Sequence, residues 1–137
     1  MKEYKKTVPV VQLMDITRET LSDVLSLIHE GGISYWGELD CDNPTYYAAK
    51  DRLLADPEVK DDGICYEDVL AEVLIGDGVL TIYDREEEDR PHDFTLSDLE
   101  EAIAYAAAWY GLDMTNWDGL TGDYIGQMIC FGEVIYG

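Results

Sequence analysis

Five side chains in the sequence are of the kinds that hold zinc: Cys41, Cys65, Cys130, His29 and His92. Structural zinc sites draw their ligands from close pairs such as C-x2-C or H-x3-H, and no such pair occurs here. Cys41 stands between Asp40 and Asp42, and His92 precedes Asp93, so any metal site would have to be assembled by the fold. Calcium is suited less well, because Asp40-x-Asp42 and the turn Asp61-Asp62-Gly63 lack the twelve-residue ladder of an EF-hand loop. Nucleophilic catalysis needs a base that a third group orients. Of the two histidines, His29 falls in the last turn of a helix, where the C-terminal dipole favours an imidazole. His92 falls in an acidic loop, where it would be solvated and without an enclosing pocket. There is no Walker loop, no G-x-G-x-x-G run and no basic patch to neutralise phosphates, which argues against direct nucleic-acid binding. The sequence therefore offers no catalytic, cofactor or metal site.

Carboxylates are what the chain has in excess. Thirty Asp and Glu face nine Lys and Arg, for a formal charge of -21, where a small domain needs a magnitude of only about 2 to 8 to stay in solution. Such a charge destabilises the compact state by self-repulsion, repels nucleic acid and anionic membrane, and speeds encounter with cationic proteins. The imbalance is uneven: residues 1 to 36 hold five acids and four bases, and no Lys or Arg follows Arg90. The candidate partner-binding residues are the acidic clusters Asp56, Glu58, Asp61 and Asp62; Glu67 and Asp68; Asp84, Glu86, Glu87, Glu88 and Asp89; and Asp98, Glu100 and Glu101. Asp113, Asp118 and Asp123 are spaced by five around Trp117 and Gly119, a pattern that suits a polar connection or a binding loop. Tyr46, Tyr47, Trp109, Tyr110 and Trp117 are candidate aromatic anchors if they reach the surface.

The elements that must carry these residues follow from periodicity. Thr7 to Met14, rich in valine with Pro9 near its start, reads as an edge strand. Thr17 reads as an N-cap with Ile16 and Leu21 as a hydrophobic staple, and Leu21, Val24, Leu25 and Ile28 form one helical stripe that Gly31-Gly32 ends. Ile33 to Leu39 reads as an aromatic strand. Asn43 as cap and Pro44 at the first helical position open a helix to Leu54, stopped by Asp56-Pro57. After a polar loop, Val69, Leu70, Val73 and Leu74 mark another helix closed by Gly76, and Val79 to Tyr83 is a strand. Asp84 to Asp93 then forms a hairpin tip. Ser97 and Glu100 suggest a capping box for a helix through Tyr110, stopped by Gly111. The last helix is placed at Gly122 to Phe131 and would be weakened by Gly126. With no βαβ rhythm, no internal repeat and no linker, residues 1 to 137 read as a single α+β domain: a small antiparallel sheet of three to four strands packed with four to five helices.

Three cysteines in no paired spacing fit reduced thiols, and there is neither an 18-residue apolar run nor a signal-peptide cleavage pattern, so a cytoplasmic protein is expected. The segments Gly31-Gly32-Ile33-Ser34-Tyr35-Trp36, Phe94-Thr95-Leu96 and Cys130-Phe131-Gly132-Glu133-Val134-Ile135-Tyr136-Gly137 resemble small acidic phage and prophage accessory proteins. Proteins of this size and charge in that group look like anti-CRISPR or anti-restriction inhibitors, which occupy the basic nucleic-acid channel of a host nuclease. The resemblance implies a non-enzymatic inhibitor of a host defence nuclease, with a CRISPR effector as first candidate and a cationic host protein as partner. The alternatives are an immunity or antitoxin-like protein that neutralises a basic toxin, and a metal-assisted hydrolase built on the cysteines, histidines and acidic turns.

Overall fold

The computed structural model describes residues 2–137. Its helices are α1 (Arg18–Leu27), α2 (Asn43–Leu54), α3 (Tyr66–Ile75), α4 (Leu96–Tyr110) and α5 (Gly119–Phe131). The strands are β1 (Gly37–Asp40), β2 (Leu80–Asp84) and β3 (Arg90–Phe94), which form one antiparallel sheet in the order β1-β2-β3. The chain is thus an α+β protein, as its pattern implies.

Thr17 caps α1 by accepting from the amide of Thr20 at 3.1 Å, and the stripe Leu21, Val24, Leu25 and Ile28 is buried. The chain leaves α1 through a π turn, Ile28–Gly32. Against this turn lies α5, at a distance set by missing side chains. A Cβ on Gly122 would stand 2.2 Å from the carbonyl oxygen of Leu27, and one on Gly126 would stand 2.4 Å from Cγ2 of Ile33. Gly126 is therefore the contact that lets α5 seat, and the cost of glycine in a helix is met by close packing.

The sheet has one buried face and one open face. Leu39, Leu80, Ile82 and Phe94 point into the core. In the register Leu39↔Ile82↔His92 the inward row continues to His92, whose ring meets Phe131 edge-on at 5.2 Å. His92 is thus no solvated loop residue: it lies in β3, half-buried, with Nε2 enclosed and unpartnered. The strand takes in the second half of the acidic run because Arg90 to Phe94 continue the ladder opposite Asp84 to Leu80.

Other boundaries differ from expectation. Thr7 to Met14 forms no strand, and Val8, Val10, Val11 and Leu13 stay exposed; only Met14 and Ile16 pack on the core. A strand needs a ladder partner, and Pro9 has no N–H to offer one. The strand expected at Ile33 begins instead at Gly37, since Ile33 to Trp36 close a turn with Trp36 and Gly37 amides donating to the Ile33 carbonyl at 2.8 Å each. Asp42, not Asn43, caps α2. Thr95 and Asp98, not Ser97 and Glu100, form the capping box of α4. Asp118 caps α5, which starts at Gly119, three residues before Gly122. No helix among the described residues is long and apolar enough to cross a membrane.

Candidate functional site: two populations of carboxylates

The fourteen candidate residues do not form one face. Four of them serve the fold. Asp84 is fully buried at the end of β2, where it accepts from the Tyr136 hydroxyl at 2.8 Å and the Glu86 amide at 3.0 Å. Glu67, at 4% exposure, is enclosed within α3. Asp68 accepts from the Ser22 hydroxyl at 2.7 Å and the Cys65 amide at 3.0 Å; burial works to raise its pKa, but these bonds outweigh it and hold the carboxyl below its ordinary value. Asp98 accepts from the Thr95 amide at 2.9 Å. Asp68 and Asp98 sit where a helix starts and Asp84 where a strand ends, and backbone amides there need acceptors; Glu67 lies in the first turn of α3 and is withdrawn from the surface by burial alone.

The other ten are exposed, on separate elements: Asp56, Glu58, Asp61 and Asp62 between α2 and α3, Glu86 to Asp89 at the β2–β3 turn, and Glu100 and Glu101 on α4. Asp61 is paired with Lys50 at 3.1 Å, and Glu101 accepts from Tyr105 at 3.2 Å.

The β2–β3 turn is extended by residues that the charge runs alone did not single out. In the register Glu38↔Tyr83↔Pro91 and Asp40↔Thr81↔Asp93, Glu38, Asp40 and Asp93 all stand exposed on the open face of the sheet. Two strand spacings separate Asp40 from Asp93, about 10 Å, and Thr81 bridges toward Asp93 with a hydrogen bond of 2.7 Å. A charged residue at every second position of a strand was the signal, visible in Glu38-x-Asp40, and it required the strand to be placed correctly. Of the two arginines at this end, Arg85 is turned to the backbone carbonyls of Gly37, at 2.9 Å, and Ser34; Arg90 is exposed.

The turn itself has an unusual backbone. Glu88 and Asp89 both hold left-handed angles, φ 57° and 60°. The connection is five residues long, Arg85 to Asp89, and opens with a 3-10 turn over Arg85–Glu87; left-handed positions such as the two that follow are most easily filled by Gly, Asn or Asp, because a Cβ is unfavourable there. This turn presents two carboxylates.

A second constellation was not foreseen. Asp123, on α5, accepts from the Trp36 indole at 2.8 Å and Gln127 Nε2 at 3.0 Å on Oδ1, and from the Tyr35 hydroxyl at 2.7 Å on Oδ2. Gln127, fully buried, also accepts from the amides of Ile135 and Tyr136 at 2.7 and 2.8 Å and donates to the Tyr136 carbonyl at 3.2 Å. One amide thereby pins the segment after α5 back onto the body. Partial burial and the adjoining Asp123 push the Tyr35 phenol up to about 12, so it stays a donor at neutral pH.

The thiols are dispersed. Cys130 is pushed to about 12 by burial and then by Asp84, and Cys41 to about 11 by burial and the flanking Asp42 and Asp40; neither is a nucleophile at neutral pH. Among the described residues no three His, Cys, Asp or Glu side chains converge to hold a metal ion. His29 stacks at a tilt on Tyr66, ring centres 5.2 Å apart. Of the aromatic anchors, Trp109 and Tyr47 are exposed at 75% and 58%, whereas Trp117 is core, its indole donating to the Gly111 carbonyl at 3.1 Å.

Fold and surface together define an α+β protein with an acidic open sheet face and an acidic hairpin tip. No protein-family model matches the chain, and comparison with curated proteins and with solved structures gives no significant match.

Proposed function

We propose that this protein is a phage-type inhibitor that docks its acidic sheet face and hairpin tip into the positively charged nucleic-acid channel of a host defence nuclease, a CRISPR effector being the first candidate. The observation that carries the reading is the β2–β3 turn: Glu86, Glu87, Glu88 and Asp89 are all exposed, and two of them occupy left-handed positions that smaller or uncharged residues fill at less cost. Backbone strain kept at an exposed charged tip is the kind of expense that function, not folding, explains. Glu38, Asp40 and Asp93 continue the charge down the open face. Carboxylates set at regular strand intervals on a rigid sheet offer a basic channel the anionic pattern it meets on a nucleic-acid backbone. They would steer encounter and make it sensitive to salt.

The test is a panel of purified CRISPR effectors and other defence nucleases, assayed for binding and for cleavage of their nucleic-acid substrates at moderate salt. The reading predicts that at least one is bound and inhibited, and that binding weakens steeply as salt rises. Absence of both binding and inhibition across the panel sinks it, and capture of a basic toxin would move the protein to the antitoxin class.

A further inference from the structure

Between the C-terminal ends of α4 and the length of α5 lies a cleft of about 390 Å³. It is lined by Tyr35, Tyr110, Tyr124 and Leu120, with Asp123 among them and Tyr136 at one end, although the Tyr136 ring itself turns inward onto Trp36 and Phe131. Tyr35 and Leu120 are exposed at 52% and 73%, so apolar surface at the mouth of the cleft is open to a partner. The Asp123 carboxylate has about four lone-pair directions. Two are taken on Oδ1, by Trp36 and Gln127, and one on Oδ2, by Tyr35, which leaves one on Oδ2 without a donor. Among the described residues no Lys or Arg forms an ion pair with it: Arg18 and Arg52 pair with Glu72, Lys50 with Asp61, Arg85 bonds carbonyls of the β1 region, and no Lys or Arg follows Arg90. A negative charge set among tyrosine faces, with an unused acceptor, is complementary to a flat cation that can stack and donate at once.

We propose that this cleft receives an arginine side chain of the partner protein, its guanidinium bonded to Oδ2 of Asp123 and stacked on the tyrosine rings. Arginine suits the place better than lysine because its planar, weakly hydrated head both stacks on aromatic faces and donates in a fixed fork. Tyrosine and arginine are also the residues in which the binding energy of protein interfaces concentrates. The proposal rests on the reading that the partner is a basic protein, and it assigns one anchoring contact distinct from the carboxylates of the hairpin tip. The acidic tip then supplies attraction at long range, and the cleft supplies the contact that holds.

The experiment titrates the isotope-labelled full chain with three blocked tripeptides, acetyl-Gly-X-Gly-amide, in which X is arginine, lysine or the uncharged isostere citrulline, and follows amide and indole resonances. The arginine peptide should shift the Trp36 indole and Gln127 side-chain signals to saturation, and bind about fivefold tighter than the lysine or citrulline peptide. Asp123→Asn keeps an oxygen for Trp36 and Gln127 while removing the charge, and should weaken the arginine peptide by about fivefold; Tyr110→Ala, at the rim, should do so without touching the Asp123 network. Equal binding of all three peptides, shifts confined to the Glu86–Asp89 turn, or unchanged affinity in both variants would overturn the assignment. So would dimerisation of the free chain that Arg90→Gln abolishes, since the cleft would then belong to a second copy. If the peptide binds as described but the nuclease panel is silent, only the identity of the partner falls. If a nuclease is retained equally by wild type and Asp123→Asn, only the cleft falls.

Discussion

The β2–β3 turn and the α5 network use the same functional group for opposite ends. At the turn, four successive carboxylates face water and bond to almost nothing, on a backbone that would be more comfortable with asparagine and glycine. On α5, Asp123 gathers three donors and Gln127 closes the C-terminal segment over the core. Between these extremes lie the caps: Asp42, Asp68, Asp98 and Asp118 each accept from helix-start amides. Net charge alone therefore overstates how much of the acidity is available to a partner. What distinguishes the outward carboxylates is how few donors of their own chain reach them: Glu86 to Asp89 accept no hydrogen bond among the described residues, and on the open sheet face Asp40 and Asp93 hold one donor each, the Cys41 amide and the Thr81 hydroxyl.

The contrast can be broken first at its most rigid point. Gly122→Ala places a methyl within 2.2 Å of a backbone oxygen, so α5 must shift off the π turn; a loss of about 3 kcal/mol is expected in urea denaturation. Gln127→Ala strands two amides and the Tyr136 carbonyl, and should cost about 2 kcal/mol, with hydrogen exchange rising at Ile135 and Tyr136 before anywhere in the sheet. The turn should respond in the opposite direction. Glu88→Asn with Asp89→Gly relieves the left-handed backbone and two repelling charges, and should raise stability by about 1 kcal/mol while weakening the proposed partner. A stability gain with undiminished binding would show that the tip is not a contact.

The smallest effect concerns acid. Burial works to raise the Glu72 carboxyl, but the guanidinium groups of Arg18 and Arg52 outweigh it and hold it below the ordinary 4.5. A carboxylate with a depressed folded pKa contributes stability that is present above its unfolded value and lost as pH falls through the folded one. Two effects oppose each other: acidification toward pH 5 should stabilise the protein slightly by relieving self-repulsion among the unpaired carboxylates, whereas the Glu72 contribution is lost, and stability should fall, once pH passes below 4.5. Glu72→Gln should cost about 1 kcal/mol at pH 7, modest because both guanidiniums are half-exposed, and should soften the acid limb. Urea midpoints measured from pH 7 to pH 3 check both.

Local chemistry was legible where the chain decides by itself. The Thr17 cap, the Leu21-Val24-Leu25-Ile28 stripe and the α3 stripe all stand as their spacing implies, and so does the α+β class. The Ser97/Glu100 box expected for α4 does not form, because a capping-box spacing alone does not decide between two candidates. Ser97/Glu100 and Thr95/Asp98 share the same spacing, but only Thr95 puts apolar Phe94 and Leu99 at the staple positions, and both are buried. Where tertiary neighbours decide, the pattern failed. Thr7 to Met14 has strand composition and finds no sheet edge. Asp84 looked like the start of a charge run, yet as the last residue of β2 it alternates inward with Leu80 and Ile82 and is met by Tyr136 from the far end of the chain. Gln127 carries no sequence signal, because its partners are the chain's own backbone beyond a helix end.

The most direct measurement of the central claim is competition on a nuclease retained by the panel: its substrate nucleic acid is titrated in the presence of increasing amounts of this protein, wild type or with Glu86→Gln, Glu87→Gln, Glu88→Gln and Asp89→Asn combined. The account predicts mutually exclusive binding for the wild type, with the apparent nucleic-acid Kd rising in proportion to inhibitor, and loss of most of that competition in the neutralised turn at unchanged fold. Simultaneous binding of nucleic acid and protein, or full competition by the neutralised variant, would contradict it.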